Sequence, residues 1–167
     1  NVGYARTLNN VHDLSAVAAY RYIKSENSGS TQDLKDQNTT LRLNYSYDKR
    51  YIVEASLALM SSNRFKKSER HFLGYAASAA WVISNEVFMR DAGSVDFLKL
   101  RAGYGRLGYA GDTGYFLYRT AWSEDGTYSF TPGYSNRPAV FTRLGNPCLS
   151  WGYSDAVNVG TEGRFLT

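Results

Sequence analysis

The sequence predicts an all-β protein, built as one antiparallel sheet of about seven strands. Three observations support this prediction. Hydrophobic and polar residues alternate in one segment after another, no convincing long helix is evident, and the connections between segments alternate between short and long. Because a strand places successive side chains on opposite faces, such alternation predicts a sheet with one apolar face and one polar face.

The composition excludes several classes of protein. The 167 residues are 43% hydrophobic and 15% aromatic, which excludes a disordered chain. The single cysteine, Cys148, excludes a disulfide scaffold and a cysteine-based zinc site. A net charge of +4, spread along the chain, does not predict a nucleic-acid partner. No apolar run reaches the roughly 20 residues of a membrane helix, but membrane β-barrels carry only alternating hydrophobicity and escape that criterion.

The first elements along the chain are four strands. Residues Val2–Leu8 predict a short strand, and a second run alternates over residues 14–22. The third and fourth runs, residues 39–47 and 51–59, flank a short break at residues 48–50. Two alternating runs around so short a break predict a β-hairpin.

Three further strands are predicted in the rest of the chain. Alternating runs cover residues 73–83, 98–105 and 153–165. A helical turn is predicted only near residues 85–90, with Asn85 as its candidate cap. Residues 109–151 form a very long connection that is rich in Gly, Pro and aromatic residues.

Short connections alternating with long ones are typical of outer-membrane barrels, which have short periplasmic turns and long extracellular loops. A soluble β-sandwich would contain similar hairpins, so this architecture remains an alternative. Three details favour the barrel, and the first two concern strand length and aromatic residues. Several runs reach about 10 residues, longer than the usual roughly 5–6. Aromatic residues also stand near strand ends on the apolar face, as in the aromatic girdles of barrels: Tyr20, Tyr22, Tyr45, Tyr47, Tyr51 and Trp81.

The opposite face carries charged and amide side chains, which a water-filled lumen accommodates and the core of a sandwich does not. These are the candidates for residues that face the lumen: Arg42, Asn44, Glu54, Lys99 and Arg101.

The long connection, residues 109–151, carries the candidates for contact with a substrate or partner. They are Tyr115, Tyr118, Trp122, Tyr128, Phe130 and Tyr134. An aromatic ring offers apolar area while polar neighbours fix orientation, so these residues suit a sugar or a peptide. The alternative, favoured for any single residue, is that the loop folds over itself and the aromatic side chains form its core.

No pattern predicts catalysis, a cofactor or a metal. Residues 103–108 match G-x-G-x-x-G, but residues 109–114 are unsuited to opening a helix, so we interpret the run as a strand. His12 and His71 lack neighbours at metal-ligand spacing, and both are interpreted as surface residues. Cys148 has no histidine near it in sequence. We therefore expect a protein that is not an enzyme.

Several blocks, taken in order, resemble one family. They are LRLNYSYDKRYIVEAS at residues 41–56, SSNRF at 61–65, AWVISNEVFM at 80–89, LKLRAGYG at 98–105, and LGNPCLSW at 144–151 with NVG at 158–160. Their order is similar to that in the barrel of the SusC/RagA-like TonB-linked outer-membrane receptors of Bacteroidetes. The blocks cover nearly the whole chain, and Cys148 and Gly152 depart from the family pattern.

The resemblance implies a transmembrane barrel of about 22 strands around an N-terminal plug. Residues 1–167 would be a C-terminal portion of that barrel, without plug, TonB box or barrel closure, because about seven strands cannot close it. Residues 109–151 would be an extracellular loop. The location implied is the bacterial outer membrane, in contact with its lipid.

The function implied is the import of glycan or peptide nutrients. A SusD-like lipoprotein would cover the extracellular mouth, and TonB would act through the plug. Two other classes stay open, a barrel with a structural, adhesion or secretion role and a soluble β-sandwich binding module. The sequence does not identify the substrate or the particular lipoprotein. It also does not give the number of missing strands or the oligomeric state.

Overall fold

The computed structural model describes residues 1–26, 33–89, 95–111, 114, 116–124 and 126–165. Most of these residues lie in β-strands. The strands are β1 (Val2–Leu8), β2 (His12–Ser25), β3 (Leu34–Tyr47), β4 (Tyr51–Ser62), β5 (His71–Val82), β6 (Val95–Tyr109), β7 (Ala121–Glu124), β8 (Tyr128–Thr131), β9 (Tyr134–Asn136), β10 (Ala139–Arg143) and β11 (Gly152–Phe165).

One seven-stranded sheet dominates the fold, in the order β1-β2-β3-β4-β5-β6-β11. Every neighbouring pair is antiparallel, so the predicted all-β antiparallel class is confirmed. Two small sheets, β7 with β10 and β8 with β9, lie within the long connection between β6 and β11 and were not predicted. In the described part of the chain, the large sheet is open between β1 and β11.

The register separates the side chains into two faces, here called the apolar face and the polar face. Directly paired residues share a face, so each row of partners across the sheet belongs to one side. One apolar row runs Tyr45, Val53, Ala79, Ala102 and Val159, and the adjacent polar row runs Asn44, Glu54, Ser78, Gly103 and Asn158. The alternation in the sequence therefore persists across neighbouring strands.

The apolar face is the exposed one. Leu41, Leu43 and Leu57 are all exposed, whereas Asn44 and Glu54 on the polar face are partly covered. Of the hydrophobic residues that the structure describes, only Phe65 and Val82 are buried. A soluble sandwich would bury its apolar face against a second sheet, which this sheet does not do. So extensive an exposed apolar surface is typical of contact with a membrane or another protein.

The short turns are at one end of the sheet, here called the short-turn end. Asn9 and Asn10 join β1 to β2 with φ of 51° and 54°, and Asp48 and Lys49 join β3 to β4 with φ of 48° and 52°. Two successive residues in this left-handed region match the twist of the flanking strands, and Asn and Asp tolerate it best. The opposite end, here called the long-loop end, carries residues 63–70 and 110–151.

The connection from β5 to β6 begins with two 3-10 helices, Ile83–Asn85 and Val87–Met89, in place of the single helical turn predicted at residues 85–90. Glu86 interrupts them with an extended backbone (φ −76°, ψ 152°). Asn85, the predicted cap, is instead the last residue of the first of these helices, and its Nδ2 donates to the carbonyl oxygen of Lys49 at 3.1 Å. Arg90 lies outside the described residues.

Among the described residues, no helix combines the length and the hydropathy needed to cross a membrane.

Candidate functional site

The five predicted lumen residues, Arg42, Asn44, Glu54, Lys99 and Arg101, all lie on the polar face. The shortest contact among these five residues joins β3 to β4, where the Arg42 guanidinium lies 2.7 Å from the Glu54 carboxylate. On β6, Lys99 and Arg101 lie 3.8 and 3.5 Å from the carboxylate of Glu162 on β11. Four of the five are therefore charges with an opposite partner across a strand boundary.

Small residues between these ion pairs leave a cavity on the polar face. It has a volume of about 350 Å³, and Glu54, Ser78, Lys99, Arg101 and Asn158 are among the residues that line it. Ser78 and Gly103 form the floor between the charged side chains, because they are direct partners in the β5–β6 register. A hydrophilic solute would therefore meet both signs of charge on this face.

At the long-loop end, two sequence blocks meet through an aromatic cluster. The ring of Phe65, which is 1% exposed, lies 5.1 Å from that of Trp151 between centroids. Phe72 adds a third ring, 5.9 Å from Trp151. The indole nitrogen of Trp151 donates to the carbonyl oxygen of Arg70 at 3.2 Å, and Arg64 donates to that of Gly111 at 2.5 Å. These contacts fasten both ends of the long connection to the loop between β4 and β5.

Gly108 makes room for this cluster. A Cβ atom at Gly108 would lie 2.3 Å from Cδ1 of Phe72, so only glycine fits beneath the ring. This glycine is the last of the G-x-G-x-x-G match, and all of residues 103–108 lie in β6. The interpretation of that match as a strand is therefore confirmed.

The candidate aromatic residues of the long connection lie in different surroundings. Trp122 on β7 is 64% exposed and meets Phe141 of β10 edge to face, with centroids 5.6 Å apart. Tyr128 on β8 is 53% exposed, and Tyr118 is half-buried with the Arg119 guanidinium 5.5 Å above its ring. The β7–β10 sheet thus presents an exposed aromatic pair. Tyr115 lies outside the described residues, as do the side chains of Phe130 and Tyr134.

The short-turn end holds a carboxylate that the sequence analysis missed. Glu86 is 8% exposed and accepts hydrogen bonds from the Tyr51 hydroxyl at 2.7 Å and the Trp81 indole at 3.0 Å. The Arg50 guanidinium donates to its second oxygen at 3.1 Å. The Tyr51 and Trp81 hydrogen bonds and the Arg50 cation stabilise the charged form, so the pKa of Glu86 lies below its ordinary value.

This carboxylate bonds the two residues at one end of a row of aromatic side chains. Tyr51 stacks on Trp81 at 6.4 Å and on Tyr47 at 6.4 Å, and His12 continues the row 5.1 Å from Tyr47. The row follows the apolar face along the short-turn end, as expected of an interfacial girdle. His12 begins β2 and is partly covered beside the Tyr45 hydroxyl at 2.8 Å, so it is more enclosed than the predicted turn residue.

A charged pair on the apolar face was also missed. Arg106 and Asp155 are direct partners in the β6–β11 register, in a row with Tyr75. The alternation did contain the signal, since Arg106 follows Tyr104 by two residues and Asp155 precedes Val157 by two. Cys148 is an exposed free thiol, and among the described residues no group of His, Cys, Asp and Glu side chains is arranged as metal ligands.

The curated proteins that this chain resembles are TonB-dependent receptors. The chain is 31% identical over 130 residues to the TonB-dependent receptor SusC of Bacteroides thetaiotaomicron, matching 75% of this chain and 13% of SusC. It is 28% identical over 165 residues to the TonB-dependent receptor P39 of Formosa agariphila, matching 97% of this chain and 14% of that receptor. No family model matches the sequence.

The structure is similar to that of the RagAB peptide importer in its closed-closed state. The TM-score is 0.80 at 18% identity, covering 98% of this chain and 21% of that one. The RagAB peptide transporter matches with a TM-score of 0.79 at 20% identity, over the same share of this chain. These likenesses confirm the predicted barrel fold. The chain spans between 12 and 18% of the curated relatives it matches.

Proposed function

We propose that this chain, which is a homologue of the SusC/RagA-like TonB-dependent receptors and corresponds to a portion of their barrel, is part of an importer of glycan or peptide nutrients. Its location is the bacterial outer membrane, as in that family. The observation that carries the proposal is the two-faced sheet, exposed on its apolar side and ion-paired on its polar side, in a fold shared with RagAB over 98% of the chain.

In this proposal the apolar face contacts lipid and the polar face lines the lumen. Arg42, Glu54, Lys99 and Arg101 would face water, together with Asn44. The opposite orientation would place these charges in hydrocarbon, where each Arg or Lys costs about 2–4 kcal/mol near the midplane of the bilayer. It would also leave the exposed leucines of β3 and β4 in water. The distribution of side chains therefore supports this orientation.

The long-loop end would be extracellular and the short-turn end periplasmic, because barrels of this kind carry their long loops outside. Residues 109–151 would then stand at the mouth, where Tyr118, Trp122 and Tyr128 are available for contact with the cargo. A SusD-like lipoprotein would cover this mouth, and TonB would supply energy through a plug domain. The lipoprotein and TonB are thus proposed as partners of the whole receptor.

Uptake by the full-length receptor tests the proposal. Bacteria that express it as their only receptor of this class would be offered labelled oligosaccharides and oligopeptides. We expect one class of cargo to enter, and uptake to disappear both on deletion of the receptor and on inactivation of TonB. Uptake that continues without TonB would indicate a passive pore. A receptor that imports neither cargo would favour a structural, adhesion or secretion role.

A further inference from the structure

The connection from β5 to β6 carries exposed apolar side chains at the short-turn end. Val87 and Phe88, in the second 3-10 helix of that connection, are 62% and 66% exposed and are here called the apolar pair. The two tight turns at the same end are polar instead, with Asn-Asn at residues 9–10 and Asp-Lys at residues 48–49. Polar turns suit contact with water, whereas two adjoining large apolar side chains suit a nonpolar environment.

The segment before the apolar pair is fastened to the turn between β3 and β4. The Val82 amide donates to the carbonyl oxygen of Arg50 at 2.7 Å, and Nδ2 of Asn85 donates to that of Lys49 at 3.1 Å. The Arg50 guanidinium also donates to the Glu86 carboxylate at 3.1 Å. Since backbone and side-chain bonds both attach this segment to a neighbouring hairpin, the apolar pair has a fixed position at the edge of the sheet.

Glu86 places the apolar pair beside the aromatic row of the apolar face. Its carboxylate accepts hydrogen bonds from Tyr51 at 2.7 Å and Trp81 at 3.0 Å, and these two residues are direct partners on that face. Tyr and Trp at a membrane interface keep the ring in the apolar layer and the polar group at headgroup level. Glu86 therefore lies at headgroup level, next to the outside of the sheet.

The chain connection limits how far the apolar pair can lie from this level. Val87 directly follows Glu86, and the Cα atoms of Phe88 and Glu86 are at most about 8 Å apart, because two peptide units join them. Interfacial segments bury their apolar side chains about 5–10 Å into the boundary between headgroups and acyl chains. The apolar pair is thus within reach of that boundary and continuous with the apolar face.

We propose that Val87 and Phe88 form an anchor on the outside of the barrel, which inserts into the phospholipid leaflet at the short-turn end. Both side chains lie among the upper parts of the acyl chains, and Glu86 fixes the anchor to the aromatic row. The inference rests on the proposed orientation of the sheet, with the apolar face toward lipid. It goes beyond import, because the anchor takes no part in the lumen.

Fluorescence quenching of the full-length receptor in phosphatidylcholine nanodiscs tests the anchor. Phe88→Cys and Val87→Cys are made separately in a receptor whose other cysteines are replaced by serine, and each is labelled with bimane. One quencher is phosphatidylcholine brominated along its acyl chains, and the other is iodide in the buffer. Asn10→Cys, in an exposed turn at the same end, is the matched control for water, and Leu57→Cys on the apolar face is the reference for lipid.

The labels at Phe88→Cys and Val87→Cys should lose about half of their fluorescence to the brominated lipid and little to iodide. The label at Asn10→Cys should show the reverse. Iodide quenching at Phe88→Cys as strong as at Asn10→Cys would overturn the proposal. Protection of Phe88→Cys from both quenchers would also overturn it, because protein would then cover the side chain.

The reference position separates this inference from the orientation on which it rests. Quenching of Leu57→Cys by the brominated lipid, without quenching of Phe88→Cys, would refute the anchor alone. If the lipid quenches neither label, the orientation of the sheet is wrong, and the anchor with it. Cargo uptake enters none of these measurements.

Discussion

Phe65 and Trp151 pack ring against ring, with centroids 5.1 Å apart, although one follows β4 and the other immediately precedes β11. The contact joins the SSNRF block to the LGNPCLSW block, which the resemblance had identified separately. Because Phe65 is almost fully buried and the Trp151 indole also binds the Arg70 carbonyl, this pair fixes where the long connection returns to the sheet.

Removing the buried Phe65 ring should destabilise the point at which the long connection rejoins the sheet. We expect Phe65→Ala to destabilise the full-length receptor by about 3 kcal/mol, since truncating a buried phenylalanine leaves a cavity. The midpoint of the heat-induced loss of folded-barrel mobility on gels measures this. The control is Phe141→Ala, whose ring is half exposed on β10. Equal midpoints for the two variants would mean that Phe65 does not anchor the connection.

Gly108 should tolerate no side chain. In Gly108→Ala the new Cβ would meet the Phe72 ring, so Phe72 must move away from Trp151 at a cost of about 1–3 kcal/mol. Gly3→Ala is the matched control, because its Cβ would have no neighbour closer than 3.9 Å. The thermal midpoint should fall for Gly108→Ala and should be unchanged for Gly3→Ala. A Gly108→Ala receptor as stable as wild type would show that Phe72 does not occupy this position.

Glu86 should make the short-turn end sensitive to acid. Its pKa in the folded protein is below the ordinary 4.5, owing to hydrogen bonds from Tyr51 and Trp81 and the charge of Arg50. The stabilisation is therefore complete above about pH 4.5 and disappears as the pH falls through the lowered pKa. Hydrogen-exchange protection of the Val82 amide, which donates to the Arg50 carbonyl at 2.7 Å, should decrease over that range.

The variant Glu86→Gln separates this carboxylate from other acidic groups. It should lower protection of the Val82 amide at pH 7 and remove most of the decrease in acid. If the variant keeps the full acid-dependent decrease, the titrating group is another carboxylate, and Glu86 does not control the turn.

Trp122 should contribute to cargo binding without supporting the fold. Its ring is mostly exposed, so Trp122→Ala should leave the thermal midpoint unchanged. Loss of an aromatic contact to a sugar or peptide should weaken cargo binding by roughly five- to tenfold in titration calorimetry. Val140→Ala on the other face of the β7–β10 sheet is the control. Unchanged affinity in the Trp122 variant would remove this residue from the cargo site.

The large sheet could be predicted from the sequence because its signal is local. Alternation at Leu41, Leu43 and Tyr45 reports the strand and its faces wherever one face is apolar. The short strands β7 to β10 carry no such signal, since three to five residues give little alternation.

The contacts that hold the connections between strands could be identified only from the structure. Phe65 meets Trp151, and Glu86 meets Arg50 and Tyr51, through chain reversals that no local pattern reports. Arg106 and Asp155 lay within reach of sequence reasoning, because both keep the alternation of the apolar face.

The orientation of the sheet is the central claim, and cysteine labelling in intact outer membranes tests it most directly. In a Cys148→Ser background, Asn44→Cys and Ser56→Cys mark the polar face, and Leu41→Cys and Leu57→Cys mark the apolar face. A water-soluble maleimide should label the first two and spare the leucine positions, which a lipid-soluble maleimide should label instead. Labelling of Leu41→Cys and Leu57→Cys by the water-soluble reagent, with Asn44→Cys and Ser56→Cys protected, would contradict the account.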